Sequence, residues 1–290
     1  MQAEAHEGFL HYWGLAMPRT ITEKRAAFRV LHESGCFMLP NPWDVGSARY
    51  LASLGFNAIA TTSSGYAWSA GRADNHVSRD AILAHLREMV EAIDLPVNAD
   101  FENGFGADPD EVGASVKLAV ATGVAGLSIE DSTGDAAAPL FPLEVAVARL
   151  KAARRAIDES GGDTLLIGRA ENFVAGVPDL EDTLARLQAY AAAGADCLYA
   201  PGLRSREQIE AVVAAVAPKP VNVLIGTNLP YTLQDLAALG VRRVSVGGAL
   251  ARAAWGGFMR AAHALSEGRF DGFADAASGA ELDALFSRDA

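Results

Sequence analysis

Eight short apolar runs, separated by amphipathic helical stretches, are the feature that most constrains how this chain folds. The runs cover residues 36–42, 58–63, 95–100, 125–131, 165–172, 196–202, 220–226 and 241–248. Near-continuous hydrophobic runs of this length are typical of parallel strands that are covered on both faces. In the stretches between them apolar residues recur at helical spacing, and several stretches open on Asp, Ser or Thr and end on Gly, as helices do.

One (β/α)8 barrel of the TIM type is therefore the predicted fold. No Pro- or Ser-rich linker divides the 290 residues. A doubly wound open sheet is the alternative, but it would usually carry a Gly-rich dinucleotide loop after its first strand, and LPNPWDVGSA is not such a loop. We expect an N-terminal extension over residues 1–23, the barrel over 24–265 and a tail over 266–290. The chain after the last strand is long enough for two or three helices.

Composition argues against several classes of partner. The chain carries 24 Lys and Arg against 36 Asp and Glu, a net charge of −12, and without a basic block neither nucleic acid nor a membrane is an expected partner. Cys36 and Cys197 form neither a disulfide framework nor a CxxC metal site, so a reducing, cytoplasmic compartment is expected. The N-terminus does not resemble a signal peptide, and no apolar run reaches the roughly 18 residues of a transmembrane helix.

Acidic, amide and hydroxyl side chains gather where the predicted strands end, which is where barrel enzymes carry their catalytic groups. They are Ser63, Ser64, Gly65, Tyr66 and Asp74 in a long polar loop predicted after the second strand, Asn98, Asp100 and Glu102 at the third, Glu130 at the fourth, Arg169 at the fifth and Asn222 in the seventh. Hard divalent cations prefer oxygen ligands, and a guanidinium group offers a carboxylate two parallel hydrogen bonds. The pattern predicts a Mg²⁺ site, with Mn²⁺ as an alternative ion, beside a small carboxylic acid bound by Arg169.

Each of these assignments has a structural alternative. Asp100 and Glu102 can be solvated loop charges or a helix cap, Glu130 can simply pair with Arg169, and the residues around Ser64 can form a plain turn. The glycines of VGGALARAA suit either an anion site at a helix N-terminus or close helix packing. Zinc and nucleophilic hydrolysis have no support, because no two histidines have metal-ligand spacing and GxSxG is absent.

The ordered phrases TTSSGYA, GRADNH, NADFENGFG, SIEDS, IGRAENF and PVNVL resemble the active-site loops of the isocitrate lyase/phosphoenolpyruvate mutase superfamily, over about residues 24–265. The resemblance implies Mg²⁺-dependent chemistry on 2-oxo or 2-hydroxy acids, in which a C–C or P–C bond is made or broken through an enolate. By matching position, the carboxylate and oxo group of the substrate would be held by Ser63, Ser64 and Gly65. The metal and its waters would be supported by Asp74, Asp100 and Glu130. Arg169 would neutralise the substrate, and Asn222 would reach the substrate's distal end.

Three departures from the family pattern narrow the expected activity. The family usually has an aspartate where this chain has Asn98, and Glu102, in what looks like a two-residue expansion of the same loop, would restore the missing charge. The Lys-Cys-Gly-His loop of isocitrate and methylisocitrate lyases is replaced by TGDAAAPLFPL, so neither of those activities is expected. The sixth strand ends in YAPGL, where the lyases tend to carry a glutamate.

We expect a lyase that cleaves a C–C bond of a small oxo- or hydroxy-acid, as oxaloacetate decarboxylases and dimethylmalate lyases do. Among these reactions, decarboxylation depends least on the missing loop, because loss of CO₂ requires only a group that accepts the electron pair. The sequence does not single out one general acid. Tyr66, Asp131 and Glu171 are the candidates. A P–C bond enzyme acting on phosphonopyruvate, as mutase or hydrolase, is one alternative, and a non-catalytic binder of 2-oxo acids is another. A Schiff-base aldolase would need a strand-end lysine, which the predicted strands lack.

The C-terminal stretch ARAAWGGFMRAAHALSEG resembles the helix that members of this superfamily exchange between subunits. The resemblance implies a homodimer or a homotetramer. From the residues alone, Trp255, Phe258 and Met259 can equally cover the chain's own barrel.

Overall fold

The computed structural model describes residues 18–287, and its centre is a ring of eight parallel strands. These are β1 Phe37–Leu39, β2 Ile59–Ala60, β3 Val97–Asp100, β4 Gly126–Glu130, β5 Leu165–Arg169, β6 Cys197–Tyr199, β7 Val221–Leu224 and β8 Arg243–Ser245. They pair in the order β1-β8-β7-β6-β5-β4-β3-β2. The Ala60 amide donates to the Pro40 carbonyl oxygen at 3.0 Å, which joins β2 to the end of β1. The predicted (β/α)8 barrel is confirmed, and every strand lies inside the apolar run that predicted it.

Helices alternate with the strands. They are α1 Ile21–Leu31, α2 Val45–Ser53, α3 Ser63–Ser69, α4 Arg79–Ala92, α5 Pro109–Val120, α6 Leu143–Glu159, α7 Leu180–Ala192, α8 Arg206–Val216, α9 Leu233–Ala238, α10 Ala249–Ser266 and α11 Gly279–Phe286. The side chains of Asp44, Ser78, Asp108, Ser205 and Thr232 accept hydrogen bonds from first-turn amides, so the predicted N-caps are confirmed. Over residues 18–287, no helix is both long and apolar enough to cross a bilayer.

The two ends of the chain frame the barrel. Helix α1 begins at Ile21, so the boundary expected between residues 23 and 24 falls inside a helix, and residues 1–17 of the expected extension lie outside the described residues. After β8 come α10, a short 3-10 helix at Asp271–Phe273 and α11, where the sequence predicts two or three helices. Residues 288–290 of the expected tail also lie outside the described residues. Cys36 and Cys197 are both free thiols.

The segment after β2 differs from its prediction. The sequence predicts a long polar loop there, but its first part forms α3. The Thr62 hydroxyl accepts a hydrogen bond from the Gly65 amide at 3.3 Å and so caps the helix. Gly65 faces a space with no room for a side chain, since a Cβ there would lie 2.9 Å from Trp43 Cβ. The helix therefore starts directly at the strand end and fixes Ser63 and Ser64 at the mouth of the barrel.

Apolar side chains fill the amino end of the barrel. Phe28 of α1 is fully buried and lies edge-on to Phe37 of β1, with ring centroids 6.5 Å apart. Gly126 of β4 leaves no space for a side chain, since a Cβ there would meet Phe28 at 2.8 Å and Asn98 Oδ1 at 2.7 Å. Within residues 18–287 the barrel interior is thus closed at this end, and its cavity lies toward the carboxyl ends of the strands.

Candidate active site

A cavity of about 160 Å³ opens at the carboxyl end of the barrel, and its lining is mainly polar. Six residues that the sequence singles out line it: Ser63, Ser64, Asp74, Asn98, Asp100 and Arg169. Because a cavity of about 150 Å³ holds a molecule of the size of benzene, the volume fits a small acid.

Arg169, the last residue of β5, is the centre of the charged groups at this cavity. Its Nη1 lies 3.2 Å from Asp100 Oδ1 and 3.1 Å from Glu130 Oε2, and its Nε donates to Glu171 Oε1. The guanidinium carbon is 5.2 Å from the centroid of the Tyr199 ring. Within residues 18–287, Nη2 of Arg169 has no hydrogen-bond acceptor, so this nitrogen remains available to a ligand.

Ser63 links two carboxylates at the mouth of the cavity. Its amide and its hydroxyl are each 2.9 Å from Asp100 Oδ2, and the hydroxyl is 3.5 Å from Asp74 Oδ1. The Ser64 hydroxyl, one residue on, lies 3.1 Å from the Thr62 hydroxyl. The start of α3 therefore places two serine hydroxyls and two carboxylates around one opening.

Negative charge exceeds positive charge in this region. Burial, together with the charges of Asp100 and Asp74, raises the pKa of Glu102 to about 8. Burial also raises the pKa of Glu130, against the opposing charge of Arg169, and the pKa of Asp74, where Asp100 adds to the effect. Such shifts arise when carboxylates share a desolvated site with too few cations. An additional cation would relieve the repulsion.

The donor set fits Mg²⁺ with water among its ligands. Carboxylate oxygens are the ligands that Mg²⁺ prefers, and the ion usually keeps several waters beside one or two carboxylates. No group of three His, Cys, Asp or Glu side chains in residues 18–287 is arranged to hold a metal by itself. One oxygen of Asp100 and one of Glu130 face Arg169 instead. A site with few protein ligands and several waters is therefore the arrangement that these residues suit.

Three further residues of the sequence analysis make their side-chain contacts with groups other than the carboxylates. Tyr66 stacks on His85, with ring centroids 4.0 Å apart, and is not part of the cavity lining. Asn222 is fully buried beneath the cavity, where its Nδ2 donates to Ser245 Oγ at 3.0 Å. Asn98 does line the cavity, but its Oδ1 accepts a hydrogen bond from Arg243 Nη1 at 3.3 Å. The structure thus brings neither Tyr66 nor the Asn98 amide to the carboxylate group.

The two other general-acid candidates are both engaged. Glu171 is paired with Arg169. Asp131 is buried behind it, where Tyr190 Oη lies 2.5 Å and Arg186 Nη1 3.1 Å from its Oδ2. Both carboxylates therefore support the charge network rather than project freely into the cavity.

Sequence reasoning missed several residues of the cavity, above all Arg243. The signal was the pair Arg242–Arg243 inside an apolar run, because strand alternation must turn one of two adjacent side chains into the barrel. Asn41, which follows β1, accepts hydrogen bonds from the amides of Val246 and Gly247, both at 2.9 Å. It thereby fastens the end of β1 to the end of β8. These contacts join residues about 200 positions apart, so no local pattern reveals them.

Comparison with known proteins places these observations in context. A family model described as phosphoenolpyruvate phosphomutase matches residues 28–266. An oxaloacetate decarboxylase of Paraburkholderia xenovorans LB400 is 31% identical over 236 residues, which cover 77% of this chain and 74% of that protein. A solved structure from Burkholderia cenocepacia J2315, described as a lyase/mutase, is 48% identical with a TM-score of 0.89 and covers 92% of this chain and 97% of its own. The structure of a phosphonopyruvate hydrolase with oxalate and Mg²⁺ is 26% identical with a TM-score of 0.79, covering 92% and 95%.

Proposed function

The chain belongs to the phosphoenolpyruvate phosphomutase family of the isocitrate lyase/phosphoenolpyruvate mutase superfamily, and we propose that it is a Mg²⁺-dependent lyase of a small 2-oxo or 2-hydroxy acid. Oxaloacetate decarboxylation is the reaction we favour. The observation that carries the proposal is Arg169, held by three carboxylates at a cavity that fits a small acid. The 31% identity to an oxaloacetate decarboxylase supports it.

Arg169 would stabilise the negative charge that develops during cleavage. When the C3–C4 bond of oxaloacetate breaks, CO₂ leaves and the electron pair becomes the enolate of pyruvate, which then takes up one proton at C3. Nη2 of Arg169 would donate to the enolate oxygen. The other nitrogens are held by Asp100, Glu130 and Glu171, so the donor is oriented before the substrate arrives, which is the arrangement that lowers such barriers.

The remaining residues would bind the metal and the substrate. Mg²⁺, or Mn²⁺, would be held through water by Asp74, Asp100 and Glu102, and would supply a Lewis acid for the 2-oxo group. Ser63 and Ser64 would donate hydrogen bonds to the substrate carboxylate. Gly65 would act through packing, because its amide already bonds to Thr62.

Turnover by the purified protein tests the proposal. With Mg²⁺ we expect oxaloacetate to give pyruvate and CO₂ faster than in the same buffer with an Arg169→Gln variant, a control needed because Mg²⁺ alone promotes this reaction. Excess EDTA should abolish the difference. Phosphonopyruvate and 2,3-dimethylmalate are tested alongside. Turnover of phosphonopyruvate alone would identify a P–C bond enzyme, and binding of all three acids without reaction would identify a non-catalytic binder.

We propose in addition that the chain forms a homodimer or a homotetramer through α10. Phe258 and Met259 of this helix are each 63% exposed and Trp255 is 39% exposed, which is unusual for neighbouring large apolar side chains. Light scattering after gel filtration should give the mass of an oligomer, and Phe258→Glu should reduce it. Leu118→Glu, at an apolar position of α5 that is 41% exposed, is the control. A monomeric wild-type protein would contradict this part of the proposal.

A further inference from the structure

Arg243 is the second arginine of the cavity, and nothing in the described chain neutralises it. Its side chain reaches the cavity from the first residue of β8 and is 2% exposed. Nε donates to Asn222 Oδ1 at 2.8 Å and Nη1 to Asn98 Oδ1 at 3.3 Å. Among residues 18–287 there is no acceptor for Nη2, and no carboxylate oxygen lies within 4.0 Å of the guanidinium group.

The other buried arginines of the described chain have partners that compensate their charge. Arg25 pairs with Asp163 at 2.9 Å, Arg186 pairs with Asp131 at 3.1 Å, and Arg169 has its three carboxylates. Arg149 is held by three carbonyl oxygens of its neighbouring loop, at 2.8 to 3.2 Å, and its Nε, which has no partner, is fully enclosed. A buried cation is costly unless an anion or hydrogen bonds compensate it, and Arg243 differs from Arg149 because its unpartnered nitrogen belongs to a side chain that lines the cavity.

The acids of the cavity lie elsewhere. Asp74 and Asp100, the two carboxylates of the lining, are both at Ser63 near the mouth. Burial lowers the pKa of Arg243, and the groups that oppose this effect are Cys197 and Tyr199 rather than carboxylates. The cavity therefore has a crowded negative region at its mouth and an uncompensated positive group at its floor.

We propose that Arg243 binds one carboxylate of the substrate at the floor of the cavity and thereby selects small dicarboxylates over monocarboxylates. The inference rests on the proposed function, from which it takes that the ligand is a small acid. It adds the residue that distinguishes acids with two anionic groups from acids with one. Both arginines line one cavity of about 160 Å³, so a ligand with two anionic groups has a guanidinium partner available for each. Two charge-assisted hydrogen bonds, both from Nη2, would complete the environment of Arg243.

Binding of oxalate and of its monocarboxylate counterpart glyoxylate, measured by calorimetry with Mg²⁺ present, tests the proposal. The wild-type protein should bind oxalate more tightly than glyoxylate. Arg243→Gln should weaken oxalate binding by about 10- to 100-fold and glyoxylate binding by much less, which narrows the preference, while Arg243→Lys, which keeps the charge, should recover part of the loss. Arg242→Gln is the matched control, because this neighbouring arginine donates to the Gly35 carbonyl on the outside of the barrel and should leave affinity within about twofold.

Unchanged oxalate affinity in Arg243→Gln, an equal loss in Arg242→Gln, or no oxalate binding by the wild type would each overturn the proposal. If the glutamine variant does not fold, a crystal structure of the wild type with oxalate decides. A carboxylate oxygen within about 3.2 Å of Arg243 Nη2 supports the proposal, and an oxalate bound only at Arg169 overturns it.

Kinetics separate this inference from the proposed function. If the protein binds oxalate through Arg243 but turns over none of the acids, the binding role of Arg243 is supported and the proposed lyase function is wrong. If it decarboxylates oxaloacetate with KM and kcat unaffected by Arg243→Gln, the lyase function is supported and the binding role of Arg243 is wrong. If both hold, the substitution should raise KM more than it lowers kcat, because the contact is made with bound substrate.

Discussion

Two clusters of buried charges lie side by side at the carboxyl end of the barrel, and they begin at adjacent residues. Glu130 faces Arg169, and Asp131 faces Arg186. The cluster around Arg169 has three carboxylates for one guanidinium group and meets the cavity. The cluster around Arg186 has two carboxylates and is closed by the Tyr190 hydroxyl.

The two clusters differ in burial and in hydrogen bonding. The Asp182 side chain is 39% exposed, and hydrogen bonds from Arg186 and Asn172 hold its pKa below the ordinary value although burial acts to raise it. Glu102 is 8% exposed and has no such donors, and burial raises its pKa to about 8. Asp131 is 2% exposed but has Tyr190 and Arg186 as partners, so burial of an acid does not by itself identify a functional site. An acid left uncompensated beside a cavity is the better indicator.

The largest expected effect is the difference in catalytic activity between variants of Arg169 and of Arg186. Arg169→Gln should lower kcat/KM for oxaloacetate by about 100- to 1000-fold, as loss of a preorganised donor to a developing oxyanion does. Arg186→Gln should instead lower the free energy of unfolding, because it leaves Asp131 buried without its cation. Steady-state kinetics and urea denaturation of both variants give the two quantities. If both substitutions affected activity equally, the distinction between the clusters would fail.

A smaller effect is expected from the closed cluster alone. Tyr190→Phe removes a hydrogen bond to the Asp131 carboxylate and should lower the free energy of unfolding by about 1.5–3 kcal/mol, with kcat/KM changed by less than about threefold. Tyr50→Phe, at a tyrosine that is 52% exposed, controls for loss of a hydroxyl and should leave stability unchanged. A large loss of activity in Tyr190→Phe would mean that the closed cluster also serves the reaction.

The smallest expected effect is a pH dependence that belongs to the open cluster. The native protein keeps the Glu102 proton up to about pH 8, whereas the unfolded chain loses it near the ordinary value of 4.5. Between these values the native state binds more protons, so stability in EDTA should fall as pH rises, by at most about 1.4 kcal/mol per pH unit for this proton. Urea denaturation from pH 5 to 8 measures the slope.

Glu102→Gln should flatten that slope, and at pH 7 it should weaken Mg²⁺ binding, because the neutral amide supplies no charge. Calorimetry in two buffers of different ionisation enthalpy should show about one proton released per Mg²⁺ bound to the wild type. Wild-type Mg²⁺ affinity in the variant would remove Glu102 from the metal site. An unchanged pH slope would show that the charge imbalance lies elsewhere.

The fold was predictable because its determinants are local. The strands are apolar runs that alternate with capped helices, and barrel geometry then brings the strand ends together, so that Asp100, Glu130 and Arg169 lie side by side. The parts that escaped prediction depend on distant partners. Tyr66 turns toward His85 of another helix, and Arg243 meets Asn98, 145 residues away. Helix α3 escaped because its seven residues are too few to show a period.

Gly126 and Phe28 have a consequence for how this chain can diversify. The glycine lets the Asn98 amide and the Phe28 ring approach within van der Waals distance of the strand, so the depth of the cavity is fixed by a helix outside the barrel. A descendant that accepts a longer acid cannot deepen the cavity toward the amino end of the barrel without losing the packing of Phe28 against Gly126. It must gain length outward, in the segment around Asp74, where residues 69–76 are exposed and an insertion disturbs no buried layer. The barrel thus allows evolution to change one end of the substrate while the other end stays fixed.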